Sequence, residues 1–154
     1  MIIQKIISGG QTGADIAGID AAISCDYPYG GWLPKGRKSL HKNGIVPEKY
    51  THFKVLAKGG YPKRTEQNVI DSDGTVIFTY GKLTKGSSLT KKVALKNKRP
   101  WLHIDLNIEH SPALKIKDFI IDWDINVLNI AGERANSAPA IYKKVKKILI
   151  NVLN

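Results

Sequence analysis

The sequence predicts a single α/β domain, residues 1–154, with a mostly parallel sheet covered by helices on both faces. Three observations lead there. Short β-branched apolar runs alternate with stretches of helical spacing along the whole chain. Turns containing glycine follow three of the strand candidates, after Ile7, Thr79 and Ala131. No linker, internal repeat or low-complexity segment divides the 154 residues, a length that one core can serve. Alternating strands and helices imply right-handed crossovers. Ligands of such sheets sit beyond the carboxyl ends of the strands, at the switch in strand order. The three glycine turns should therefore open onto one edge despite their distance in sequence.

The elements follow in order. Ile2 to Ile7 is a buried-strand pattern entering the turn Ser8-Gly9-Gly10, and Thr12 to Ser24 carries Ile16, Ile19 and Ile23 at helical spacing. A loop rich in Gly, Pro and aromatics runs from Tyr27 to about Pro47. Phe53 to Ala57 is a short strand candidate, Arg64 to Ser72 a short helix, and Thr75 to Thr79 a strand after Asp73-Gly74. Ser88 to Asn97 reads as a helix with outward lysines, and Trp101 to Leu106 as the next strand. Ser111-Pro112 places an N-cap and a first-turn proline before a helix through Trp123. Asn126 to Ala131 is the last strand. The final helix starts near Ser137, with Ile141, Val145, Ile148, Leu149 and Val152 on one face.

Composition narrows the function classes. Hydrophobic content of 42% and charged content of 24% are those of a folded globular domain. Cys25 is the sole cysteine, which excludes an internal disulfide framework and a cysteine zinc site. His41, His52, His103 and His110 have no metal-helix spacing among them. Neither a run of about 18 apolar residues nor a signal-peptide pattern is present, so a cytoplasmic location without membrane contact is expected. The formal net charge of +11 draws anions, or else is a solubilising lysine surface. Arginines number only four, so their positions carry the information about bidentate phosphate recognition.

Five segments could carry chemistry. In Ser8-Gly9-Gly10-Gln11-Thr12-Gly13-Ala14-Asp15, glycines allow close backbone approach, and helix-start N–H groups favour an anion. The spacing fits neither the Walker nor the dinucleotide pattern. The alternative is a structural strand-to-helix turn capped by Thr12. In Gly30-Gly31-Trp32-Leu33-Pro34-Lys35-Gly36-Arg37, Trp32 could stack on a planar ligand while Lys35 and Arg37 meet its phosphate around Gly36; or this is a packing turn. Arg64, Thr65 and Asn68 fall on one helical face, suited to a ligand or to capping and a surface ion pair. Gly86, Ser87, Ser88 and Thr90 offer a second set of helix-start amides, or a plain N-cap. Gly132 and Arg134 end the last strand, where Arg134 reaches the shared edge or neutralises a neighbour.

Taken together, Ser-Gly-Gly-Gln-Thr-Gly at 8–13, Gly-Gly-Trp-x-Pro-Lys-Gly-Arg at 30–37, Arg-Thr-x-x-Asn at 64–68, Ser-Asp-Gly-Thr at 72–75, Gly-Ser-x-x-Thr at 86–90 and Asn-x-Ala-Gly at 129–132 resemble the molybdenum cofactor carrier family. The resemblance spans nearly the whole chain. It implies a Rossmann-like three-layer fold, related to the Lonely Guy and DNA-processing protein A domains, a homo-oligomer, and a ligand site at the glycine loops. The implied ligand is a phosphorylated small molecule, either molybdenum cofactor (molybdopterin) or a nucleotide. The sequence departs from the family pattern at Ile16 (arginine in members), Leu33 (cysteine), Lys85 (glycine) and Glu133 (proline). Related phosphoribohydrolases carry a glutamate soon after the second glycine loop, whereas Lys85 to Leu95 contains no acid. The expected function is accordingly binding or carriage rather than catalysis. The runner-up is N-glycosidic hydrolysis of a nucleotide, with Asp15 or Asp73 as the acid. Single-stranded nucleic-acid binding ranks third, for want of arginines and interleaved aromatics.

Overall fold

A computed structural model describes residues 1–154. The seven strands are β1 (Lys5–Ser8), β2 (Tyr29–Gly30), β3 (Trp32–Leu33), β4 (Lys54–Val55), β5 (Gly74–Thr79), β6 (Trp101–Asp105) and β7 (Val127–Gly132). The helices are α1 (Ala14–Ser24), α2 (Tyr61–Ile70), α3 (Lys85–Lys96), α4 (Pro112–Asp122) and α5 (Ile141–Leu153). Five strands form one sheet in the order β2-β1-β7-β5-β6, every pairing parallel. The α/β class and the helix-covered sheet are as the alternation predicts. β3 and β4 pair as a small separate sheet.

The two faces of the sheet differ in chemistry. Strand alternation sends Leu128 and Ile130 into the large core with Val76, Phe78 and Ile104, against the buried sides of α1, α4 and α5. The opposite face, towards α2 and α3, carries a small cluster around Val69, Val93 and Ala94. Buried polar groups fill that side, and Asn129 donates to Thr75 Oγ1 at 3.1 Å. A polar floor therefore lies beneath α2 and α3, where the first glycine turn also opens.

Several boundaries move from those read in the sequence. β1 begins at Lys5 rather than Ile2, because the main-chain N–H of Ile2 turns aside to Tyr27 Oη. The 27–47 loop contains β2 and β3: Tyr29 and Gly30 pair with Ile6 and Ile7 at the sheet edge. α2 starts at Tyr61, with Pro62 in the first turn that tolerates proline. α3 starts at Lys85, so Gly86 and Ser87 are its first-turn residues and not a preceding loop. Ser137 and Ala138 both donate to the Arg134 carbonyl, so the chain makes a turn there and α5 begins only at Ile141.

Candidate functional site

The carboxyl ends of β1, β7 and β5 lie side by side, and a cavity of about 510 Å³ opens above them between the first loop, α2 and the start of α3. That volume lies within the range of small-molecule sites. Its walls come from segments far apart in sequence, among them Gly9, Gln11, Arg64, Gly86 and Gly132.

The first loop is mostly occupied with itself. Gly10 N–H donates to Ser8 Oγ (3.1 Å), Gln11 N–H to Asp15 Oδ2 (3.3 Å), and Thr12 N–H to Gln11 Oε1 (3.0 Å). Ala14 N–H donates to the Glu133 carbonyl at 3.1 Å. Ser8 Oγ also donates to the Asp15 carbonyl, and Thr12 Oγ1 accepts the Ala135 N–H; Gly13, not Thr12, occupies the N-cap of α1. Much of the amide cradle expected over residues 9–13 is thus engaged within the loop. Three of its N–H groups, those of Gly10, Gln11 and Thr12, are already satisfied inside the protein. What the loop does offer is Gln11 Nε2, buried and without a partner, while Gln11 Oε1 accepts from both Thr12 and Leu40 N–H groups.

The free amides are on α3. Ser88 N–H is the first of that helix to find a carbonyl, that of Thr84, which leaves the Lys85, Gly86 and Ser87 N–H groups without protein partners. No side chain caps this end. Thr84 Oγ1 donates to Ser87 Oγ at 3.2 Å. Three unsatisfied N–H groups at the positive end of a helix make a ready seat for an anion.

Two guanidiniums complete the electrostatics. Arg64, 6% exposed, donates from Nη1 to the Gly9 carbonyl at 2.7 Å and stands 4.0 Å from Asp15 Oδ2. The Arg64 and Arg134 guanidinium carbons lie 5.3 and 4.8 Å from the centre of the Tyr61 ring, so one ring holds both cations. Burial raises the Asp15 pKa despite the opposing charge of Arg64, which favours a neutral carboxyl. Burial lowers the Arg64 pKa, Asp15 opposes that shift, and Arg134 adds to it. Arg134 itself has no carboxylate within 4.0 Å. The cavity lining thus carries three cations, Arg64, Lys85 and Arg134, against two acids, Asp15 and Glu133.

Comparison with known proteins bears on what such a cavity belongs to. The model of the "Circularly permutated YpsA SLOG family" matches residues 6–153. The chain belongs to that family. A protein of Syntrophus aciditrophicus SB, provisionally named a molybdenum carrier, has a crystal structure that superposes with a TM-score of 0.93 at 47% identity, covering 99% of this chain and 96% of that one. (E)-4-hydroxy-3-methyl-but-2-enyl diphosphate reductase aligns at 11% identity over 96% of this chain and 59% of its own, with a TM-score of 0.42, too weak a likeness to transfer anything. No curated protein matches.

In this SLOG-family chain the residues picked out by sequence divide into three groups. Gly9, Gln11, Asp15, Arg64, Thr65, Asn68, Gly86, Ser87, Thr90, Gly132 and Arg134 line the cavity. Ser8, Gly10, Thr12, Gly13 and Ser88 support its walls from behind without lining it. The Trp32 loop lies outside the cavity lining. Trp32 Nε1 donates to Asp71 Oδ2 at 2.7 Å, and Lys54 covers its ring at 5.5 Å. Lys35 and Gly36 are exposed and lie outside the cavity. Arg37 spends its guanidinium on three main-chain carbonyls, of Val46, Pro47 and Tyr50, pinning the loop beside it. Asn68 is both wall and clamp, exchanging two hydrogen bonds with the Trp32 main chain.

Tyr61, Lys85 and Glu133 line the cavity but are not among the site residues chosen from sequence. Glu133, noted there only as a departure from the family pattern, accepts the Tyr80 N–H through Oε1 at 2.6 Å. Nothing in local spacing marks Tyr61, because its role depends on two arginines that are remote from each other in the chain. Asp73 is excluded from the site: its carboxylate accepts the Asn126 and Val127 N–H groups at the opposite end of the sheet.

Proposed function

We propose that this protein binds or carries a phosphorylated planar ligand, either molybdenum cofactor or a nucleotide, with the phosphate on the α3 start and the two arginines. One observation carries the reading. Arg64 and Arg134 share the Tyr61 ring beside three unpartnered helix-start N–H groups, and a bound phosphate would satisfy both sets at once. The molybdenum carrier name of the Syntrophus protein supports the pterin form of the ligand. No cysteine or histidine lines the cavity, so the residues present suit the phosphate and ring of such a cofactor and offer no soft ligand to its metal. Homo-oligomerisation is proposed with it, and analytical ultracentrifugation of the purified chain tests that part.

The test is identification by mass spectrometry of any small molecule that co-purifies with the protein, followed by thermal-shift titration with a pterin phosphate and with nucleotides. Stabilisation that grows with concentration supports the reading. A ligand-free preparation that no phosphorylated pterin or nucleotide stabilises overturns it.

A further inference from the structure

The carboxyl-terminal half of α4 carries charge of the wrong sign for a free helix end. Asp118, Asp122 and Asp124 fall within residues 118–124, with no cation among them, at the negative end of the α4 dipole. On α5 the same anomaly recurs with the signs exchanged. Lys143 and Lys144 stand in its first turn, Lys146 and Lys147 follow, and the helix has no acid. None of these acids or lysines makes an ion pair within the chain.

The same surface is apolar. After Met1, the most exposed large hydrophobic side chains of the molecule are Ile108, Leu114, Ile121 and Trp123, each between 60% and 69% exposed. Ile116, Phe119 and Ile120 point into the core, so Leu114 and Ile121, seven residues apart, share the outer side of α4 with Asp118. Trp123 follows at the C-cap. Exposed apolar area gathered in this way marks an interaction surface. α5 packs beside α4 on the same face of the sheet. Its outer side forms a shallow groove of Tyr142, Lys143, Lys146, Lys147, Ile150 and Asn151, with lysines between the tyrosine and the isoleucine. The Tyr142 hydroxyl donates to Asp20, which fixes the ring at one end of the groove.

The two strips match in spacing and in charge. Both helices return against parallel strands and so run in the same direction. A two-fold axis perpendicular to them lays α4 of one copy antiparallel on α5 of the other, and makes that contact twice. Leu114 then meets the partner's Ile150, Asp118 the partner's Lys147, and Asp122 the partner's Lys143. Each acidic helix end also lies beside a basic helix start, which relieves the misplaced charge on both. A second copy is the fitting occupant because one chain carries both halves of the match.

We propose that α4 and α5 together form the face through which two copies of this chain associate, each α4 seated on the partner's α5. This rests on the homo-oligomer proposed above and gives it a surface. The phosphate cavity, on the other side of the sheet, takes no part.

The test is sedimentation velocity over a concentration series on wild type and two charge-reversed variants of the full chain. One carries Asp118→Lys with Asp122→Lys, the other Lys143→Asp with Lys147→Asp. Each reversal suits its own helix dipole, so folding should not suffer, and circular dichroism checks this. Either variant alone should self-associate at least about tenfold more weakly, because like charges then face each other across both contacts. An equal mixture of the two should form a mixed dimer within about threefold of wild-type affinity, since every strip then faces one of opposite sign. Self-association that both reversals leave unchanged, or a loss that mixing does not restore, overturns this surface and leaves the homo-oligomer standing. A wild-type chain that stays monomeric at every concentration overturns both.

Discussion

Arg64 lies directly on Gly9: its Nη1 donates to the Gly9 carbonyl at 2.7 Å, and a Cβ added at Gly9 would meet the Arg64 side chain at 2.5 Å. The first glycine loop and α2 are thus joined across 55 residues by one buried guanidinium. The glycine is required there because arginine occupies the space a side chain would need. Gly9→Ala and Arg64→Ala should both lower phosphate-ligand affinity at least tenfold. Each should also destabilise the protein by about 2 kcal/mol, through the lost or strained hydrogen bond between the Arg64 guanidinium and the Gly9 carbonyl. Chemical denaturation and titration on the same samples check this, and unchanged affinity in Arg64→Ala counts against the site.

Two cavity glycines should behave in opposite ways. A Cβ at Gly132, whose φ is +153°, would sit 2.3 Å from the Phe78 carbonyl oxygen, and backbone cannot move aside as a flexible side chain can. Gly132→Ala is expected to cost at least ~3 kcal/mol or to prevent folding. Nothing lies within 4 Å of a Cβ at Gly86. Gly86→Ala should leave stability unchanged or raise it by up to ~1 kcal/mol, as alanine suits a helix better. It should still weaken phosphate binding, because the added methyl stands at the free N–H groups. Paired melting and binding curves of the two variants decide it.

Arg37 serves the loop and not the ligand. Arg37→Ala releases the carbonyls of Val46, Pro47 and Tyr50 and should lower stability by about 1–3 kcal/mol with ligand affinity unchanged. A variant of full stability and poor affinity would return Arg37 to the binding machinery.

The Asp15 carboxyl has a definite pH signature. Burial raises its folded pKa above the ordinary 3.8, so its neutral form is the one the fold prefers. The stability this contributes is complete below the unfolded pKa and is lost as pH rises through the folded value. Asn at this position cannot ionise. The melting temperature of Asp15→Asn should therefore gain on wild type as pH climbs from about 4 towards neutrality. Parallel pH profiles for the two proteins would show that folding leaves the Asp15 pKa unshifted and would overturn this prediction.

The sequence alone determined the class of fold, the run of strands and helices, and the edge at which the site opens. Apolar spacing and turn glycines are local signals, and parallel crossovers follow from them. Eleven of the chosen residues line one cavity because the first loop, α2, the α3 start and the end of β7 meet where that edge was expected. The sequence did not reveal which donors remain free. Gly10, Gln11 and Thr12 N–H groups look available in a glycine loop, yet the side chains of Ser8, Asp15 and Gln11 consume them. Arg37 and Arg134 look alike beside glycine turns. One is spent on three carbonyls, and the other stays on the Tyr61 ring without an ion pair. Tertiary structure decides these questions because a polar group's availability depends on every partner within about 3.5 Å, and most of those partners come from distant segments.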